Sequence, residues 1–225
     1  MGLMGGEYTA LRCGPRTAKI VLAPHLFTTG FDMNTVSAFP ITQKWPAQHP
    51  DRLQLYSLPT PNGVKVSIML EEIGLPYEPH WVSFDSNDQS SAEFLSLSPN
   101  NKIPAILDPN GPGGEPLPLF ESGAILLYLA EKTGQLMARD AAARYQTLQW
   151  LMFQMSGIGP MFGQVGFFNK FAGKSFEDKR PRDRYVAKSK RPNSWASRSM
   201  RMCCACWRHS WRDRPWLGAL RYPHD

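Results

Sequence analysis

Thr60-Pro61-Asn62-Gly63 follows a short apolar stretch and opens a helical pattern. Its polar groups could hold an anion. A helix N-terminus carries unpaired backbone N–H groups and about half a positive charge. Thr60 can add its hydroxyl and Asn62 its amide N–H as donors. Such a setting suits a thiolate, because it lowers a thiol pKa from its usual value of about 8.5. No cysteine stands in this turn. Thiol chemistry here would use a sulfur that arrives with a ligand. The same four residues also read as an ordinary helix start, with Asn62 as N-cap and proline near the first helical position.

Two further stretches add to this. Asn101-Lys102-Ile103-Pro104-Ala105 puts proline at a strand entry. Proline there is often cis. It also leaves the preceding backbone outside the ladder, where an extended peptide can pair with it. Phe120-Glu121-Ser122-Gly123 opens a long helix. Its N–H groups and the Ser122 hydroxyl could hold a carboxylate, and Glu121 could hold an amine. Taken singly, the first is an edge-strand proline and the second a capping pair. Taken together, the three stretches describe a ligand with a thiol, an extended peptide backbone, and an α-amino and α-carboxylate at one end. Glutathione has that shape.

The elements that must position these groups read as an α/β module. Residues 53–58 alternate apolar and polar, as a strand does. Residues 64–73 place Val64, Ile68 and Met69 on one helical side, and Gly74 and Pro76 stop the helix. A second strand is expected over 77–84, a short helix from Ser91, strands over 105–108 and 117–120, and a helix over 121–133. The order βαβ, short helix, ββα is that of the thioredoxin fold. It occupies roughly 80 residues, within the usual domain range. A thioredoxin would carry Cys-x-x-Cys where Thr60–Gly63 stands here. Residues 140–158 repeat Tyr145, Leu148, Leu151, Met152 and Met155 at helical spacing, and another helix is expected over Lys179–Lys190. The second region is therefore all-α. Residues 1–50 show no sustained period and read as a poorly ordered N-terminal extension, with Met33 a candidate start.

The chain resembles the nu-class glutathione transferases over about residues 51–190. The resemblance is carried by TPNG after the first strand, NNKIPAI, LFESGAILLYLAEKTG, LQW, SGIGPMFGQ at 156–164 and DRY at 183–185. It implies a thioredoxin-like glutathione-binding domain over 51–134, followed by a glutathione transferase all-α domain, partial at 140–190. It implies that Thr60 and Asn62 contact the glutathione sulfur, with no catalytic Tyr, Ser or Cys. Tyr56 then need not be the thiol donor. Gln89 would hold the glycine end, and Lys102 would stand beside the peptide. Ile103 would pair with the cysteinyl backbone, with Pro104 cis. Glu121 and Ser122 would take the γ-glutamyl end, and Arg184 would reach a glutathione carboxylate. Glutathione would serve as substrate, used on a disulfide, a peroxide or a small soft electrophile. The resemblance also implies a homodimer through the face near 124–165. A non-catalytic interaction module of the same fold is the competing reading, along with a non-functional product.

Composition bounds the remainder. The formal charge is +6 over 225 residues. Residues 191–225 hold 7 Arg and 2 Asp, and the other residues are nearly balanced. The body of the chain therefore gives no electrostatic reason to expect a nucleic-acid partner. No apolar run reaches the length of a membrane span, and a cytoplasmic setting is expected. The last 35 residues contain 4 of the 7 Trp and 3 of the 4 Cys, and lack Val, Ile, Phe, Thr, Lys, Glu and Gln altogether. They match nothing in the resembled class apart from a faint Pro215-Trp216-Leu217-Gly218. They read as an aberrant, disordered tail after a frameshift near residue 191, which truncates the helical domain. Sequencing the locus without finding a coding alternative would count against that. Cys203 and Cys206 form a C-x-x-C, but a zinc site needs further ligands at suitable spacing. No metal is expected.

Overall fold

Every residue of β1 (Leu53–Ser57) is buried, so this strand forms the centre of the fold. The computed structural model describes residues 36–190, which belong to one unit, Met33–Asp225. β1 pairs in parallel with β2 (Tyr77–Trp81) on one side and antiparallel with β3 (Ala105–Asp108) on the other. β3 in turn pairs antiparallel with β4 (Leu117–Phe120), giving the order β2-β1-β3-β4. The parallel pair needs a crossover, supplied by α2 (Gly63–Ile73). Gly74, at φ 68°, ends α2 in the left-handed region that glycine enters without strain. β2 is an edge strand, which is where its Pro79 can be tolerated.

The sheet is covered on both faces. Leu53, Leu55 and Ile106 point toward α2 and α4 (Ser122–Thr133), where Val66, Leu70, Ile125 and Leu129 complete a core. Tyr56, Ala105 and Leu107 point the other way, onto Phe94 and Leu97 of α3 (Ala92–Leu97). The alternation over 53–58 thus marks a strand, but not one with a wet face. Its polar member Gln54 is buried, with Nε2 donating to the His49 and Arg52 carbonyls and Oε1 lying 2.7 Å from His80 Nε2.

The N-terminal boundary differs from the one expected. The lead-in reading fails for 36–50, which hold a 3-10 turn (Val36–Ala38) and α1 (Ile41–Lys44). Val36, Phe39 and Ile41 are buried against Phe94 and Leu97. The Glu78 carboxylate accepts from the Gln48 and His49 backbone N–H groups at 2.8 and 2.7 Å. Such short elements have no length over which a period could show. Met33 and residues 191–225, with Cys203 and Cys206, lie outside the described residues.

In the helical region, α5 (Ala141–Phe153) runs through a π-helical segment, Gln154–Ile158, into α6 (Gly159–Lys170). α6 went unanticipated because Gly159, Pro160, Gly163 and Gly166 obscure its period. Pro160 has no N–H to offer the Ser156 carbonyl, and the ladder shifts: Gly159 N–H bonds the Gln154 carbonyl, five residues back. α7 spans 180–190 and meets α6 through the stacked rings of Tyr185 and Phe168. Neither α5 nor α6 contains a fully buried residue. Among the described residues no helix is long and apolar enough to cross a membrane, and no group of three or more His, Cys, Asp and Glu could hold a metal.

Candidate functional site

Strand register brings the three stretches together. Ala105, the first residue of β3, faces Tyr56 across one ladder and Phe120 across the other. The residues just before Ala105, just after Tyr56 and just after Phe120 therefore leave the same end of the sheet. They are Ile103-Pro104, the turn at 58–62, and Glu121-Ser122. β2 runs parallel to β1, so the segment carrying Gln89 follows from that end too.

The turn is built by Thr60. Its N–H bonds the Leu58 carbonyl at 2.6 Å, its carbonyl accepts from Val64 N–H at 3.0 Å, and its Oγ1 accepts from Gly63 N–H at 3.2 Å. Thr60 is thus the capping side chain. Asn62, the expected cap, has helical φ/ψ and makes no cap bond. Two N–H groups of the helix start are already used, so the opening offers fewer backbone donors than a bare N-terminus. Among the described residues, three donors remain: the Asn62 N–H, the Asn62 side-chain NH₂ and the Thr60 hydroxyl proton. Gly63 is required by packing, since a Cβ there would lie 2.1 Å from the Leu58 carbonyl oxygen.

The segment before β3 has the expected cis proline. The Ile103–Pro104 bond is cis, and Ile103 lies outside the β3 ladder, which begins at Ala105. Ser98 Oγ donates to the Lys102 carbonyl at 2.8 Å, while Lys102 itself is exposed. Asn101 Nδ2 donates to Ser90 Oγ at 3.3 Å and ties this segment to the 3-10 turn Asp88–Ser90. Gln89 on that turn donates to Asn87 Oδ1 at 2.8 Å. Its Oε1 is buried without a partner among the described residues, an acceptor that an incoming N–H could satisfy.

At the start of α4, Glu121 has φ 71° and ψ 111°, a strained backbone for a non-glycine residue. Its side chain is exposed, while Ser122 is buried. Ser122 Oγ lies 3.9 Å from Met155 Sδ. Gly123 leaves room for that methionine, since a Cβ would come within 2.9 Å of Met155 Cγ.

Three residues beyond those expected join the group. Lys65 Nζ donates to Asn62 Oδ1 at 2.8 Å and to Gln154 Oε1 at 2.9 Å, and lies 3.9 Å from Met155 Sδ. Burial pushes the Lys65 ammonium below its ordinary pKa, against the pull of the Glu121 carboxylate. Gln154 and Met155 stand 89 and 90 positions from Lys65 in the chain, so no local spacing pointed to them. Arg184 is exposed on α7, and no hydrogen bond or ion pair ties it to these residues. Tyr56 is fully buried in the core, and its hydroxyl has no hydrogen-bond partner among the described residues. A separate cavity of about 550 Å³, lined by Val36, Thr42, Pro46 and Pro109 among others, contains none of the expected site residues.

Residues 51–131 match the glutathione S-transferase N-terminal domain. The chain is 54% identical over 121 residues to the disulfide-bond oxidoreductase YfcG of Escherichia coli, covering 53% of this chain and 56% of that protein. It is 45% identical over 130 residues to the disulfide-bond oxidoreductase YghU of the same organism, covering 55% and 43%. The chain thus spans about half the length of these curated relatives. Among solved structures, a glutathione transferase from Pseudomonas putida with one glutathione disulfide per subunit is 82% identical, with TM-score 0.69, covering 69% of this chain and 68% of that one. A family member from Pseudomonas fluorescens with two glutathiones bound is 76% identical, with TM-score 0.68, covering 68% of each.

Proposed function

The chain belongs to the glutathione transferase family, and from that premise we propose that it binds glutathione at the turn before α2 and uses the thiolate on disulfides, peroxides or soft electrophiles. The observation that carries this reading is the shared register at Ala105, which delivers the sulfur, peptide and γ-glutamyl stretches to one end of the sheet. The thiol proton leaves to solvent. The sulfur anion then sits against the Thr60 hydroxyl and the Asn62 amide, both still able to donate. Ile103 aligns the cysteinyl backbone, Glu121 takes the γ-glutamyl amine, and Ser122 takes its carboxylate. The buried Gln89 Oε1 accepts from the glycine end, Lys102 flanks the peptide, and Arg184 approaches a carboxylate from the helical side.

With a disulfide, the thiolate attacks one sulfur, the S–S bond breaks, and the departing thiolate takes a proton. A second glutathione thiolate resolves the mixed disulfide, giving glutathione disulfide and a second thiol. Relatives that hold two glutathiones, or the disulfide, suit this sequence of steps. The protein contributes positioning and stabilisation of the sulfur anion rather than a nucleophile of its own. A reducing cytoplasm, which keeps glutathione as thiol, suits this chemistry.

We further propose a homodimer through α4, α5 and α6. Trp150, Met152 and Phe162 are 38%, 50% and 43% exposed there, more apolar surface than a solvated helical face requires.

Calorimetric titration of the purified chain with glutathione and with its disulfide tests the reading, alongside turnover of a small disulfide coupled to glutathione reductase. Saturable binding of both and measurable turnover are expected. Binding without turnover would favour an interaction module, and no binding would end the proposal.

A further inference from the structure

Lys65 has no part in the reading above, yet it is the residue most closely tied to Asn62. It sits in the first turn of α2, and its ammonium is half-buried. Two of its three protons go to the amide oxygens of Asn62 and Gln154, at 2.8 and 2.9 Å. Glu121 is the acidic group that acts on it. Gln154 and Met155 reach it from the π-helical segment. Such segments recur at functional sites.

This arrangement has a consequence for the Asn62 amide. An asparagine side chain can present either its oxygen or its NH₂ to a ligand. An oxygen facing a thiolate would repel it. With Oδ1 bonded to a cation, Asn62 is turned so that NH₂ is the end left to donate. A cation on the oxygen also draws electrons from the amide and strengthens its N–H donors. We propose that Lys65 is a positioning residue for thiolate stabilisation: it fixes and polarises the Asn62 amide so that its NH₂ holds the glutathione sulfur as the anion. Gln154 holds Lys65 in place from the helical region, so the π-helical segment couples that region to the sulfur site. This rests on the glutathione reading proposed above.

The test compares glutathione with its disulfide, which has no thiolate to stabilise. In Lys65→Met the thiolate fraction of bound glutathione at neutral pH, read by ultraviolet difference absorbance, is expected to fall about tenfold, and kcat with it. Calorimetric affinity for the disulfide should stay at the wild-type value. Lys65→Arg, which keeps the charge and the donors, should restore most of the thiolate. In an Asn62→Ala background, Lys65→Met should cause no further loss, because the effect runs through that amide. An unchanged thiolate fraction in Lys65→Met would overturn the proposal. So would a parallel fall in affinity for glutathione and its disulfide, which would mark Lys65 as a structural tether only. Should Lys65→Met not fold, Lys65→Leu, which likewise has neither charge nor donor, carries the same comparison with the same two overturning results. A wild-type chain that binds neither form overturns both this role and the reading beneath it. Wild-type binding with an unaffected Lys65 variant removes only the role of Lys65.

Discussion

Gly63 is pressed against the Leu58 backbone so closely that an added Cβ would stand 2.1 Å from the Leu58 carbonyl oxygen and 2.5 Å from Ser57 Oγ. The nearest obstacle is backbone and cannot rotate away. A Gly63→Ala chain must therefore shift the start of α2, and Thr60 and Asn62 with it. We expect a loss of about 1–3 kcal/mol in urea unfolding, the usual cost of overpacking. Calorimetric affinity for glutathione should fall as well. An alanine variant with wild-type stability and affinity would mean that the turn tolerates movement.

Gly123 makes a useful contrast. A Cβ there would meet only Met155, at 2.9 Å from Cγ. Methionine is unbranched and can swing aside. Gly123→Ala should cost less than about 1 kcal/mol of stability. The displaced Met155 would nevertheless leave Ser122 Oγ, now 3.9 Å from its sulfur. The expected signature is a nearly unchanged Tm with a raised KM for glutathione. A Tm loss as large as that of Gly63→Ala would show the two glycines to be equivalent.

How far the sequence carries the site depends on the range over which each feature is encoded. The turn at 59–63, the cis bond before Pro104 and the helix start at Ser122 are written in local chemistry: proline, glycine, asparagine and a hydroxyl within a few positions. All three could be read directly. Asn62 was the natural choice of cap. Thr60 prevails because the tight bond from its N–H to the Leu58 carbonyl turns its hydroxyl onto Gly63 N–H. Lys65, Gln154 and Met155 could not be read, since they meet across 89 and 90 positions of chain. Nor could Val36, Phe39 and Ile41 be assigned to the core, because the turn and four-residue helix that present them are too short for a period. The resemblance suggests Arg184, which stands exposed on α7 with no hydrogen bond to the other site residues. That contact depends on tertiary arrangement rather than local pattern.

Thr60 has two separable tasks. Its oxygen caps α2 through Gly63 N–H, and in the proposed reading its proton serves the glutathione sulfur. Thr60→Val removes both, with an expected stability loss of about 1 kcal/mol for the cap and a lower thiolate fraction of bound glutathione. Thr60→Ser keeps the oxygen and the proton and should retain both properties. A serine variant that loses thiolate but not stability would implicate the threonine methyl instead. Thermal unfolding and ultraviolet thiolate absorbance together distinguish these outcomes.

The interior also sets a pH dependence. Burial pushes His80 below its ordinary value of 6.5, despite Glu78 at 3.9 Å. The unfolded chain therefore takes up the proton first as pH falls. The stability associated with neutral His80 is full above pH 6.5 and declines as pH drops below it toward the folded value. Glu78 adds a second step. Burial acts to raise it, but the N–H groups of Gln48 and His49, with His80 and Gln54, hold it below its ordinary 4.5. Its contribution is present above pH 4.5 and lost as pH falls through the lower folded value. Urea midpoints measured from pH 8 down to about pH 3 should thus fall in two stages. His80→Gln, which keeps a donor for Gln54, should remove the first stage and leave the second.

Tyr56 is the test of whose thiol chemistry this is. Its hydroxyl is buried and has no hydrogen-bond partner among the described residues. Its ring stacks on His80 at 4.7 Å between centroids. Burial, with the Glu78 charge nearby, raises the phenol far above its ordinary value, so it does not give up a proton readily. A phenol that served the sulfur would have to donate its proton to it, and this one makes no hydrogen bond to Thr60 or Asn62. Removing an unsatisfied buried hydroxyl need not cost stability, since the lost group had no bond to lose. Tyr56→Phe should therefore keep or slightly raise the Tm, and leave kcat and the thiolate fraction of bound glutathione at wild-type values. A drop in thiolate with the fold intact would move the sulfur contact from Thr60 and Asn62 to the tyrosine.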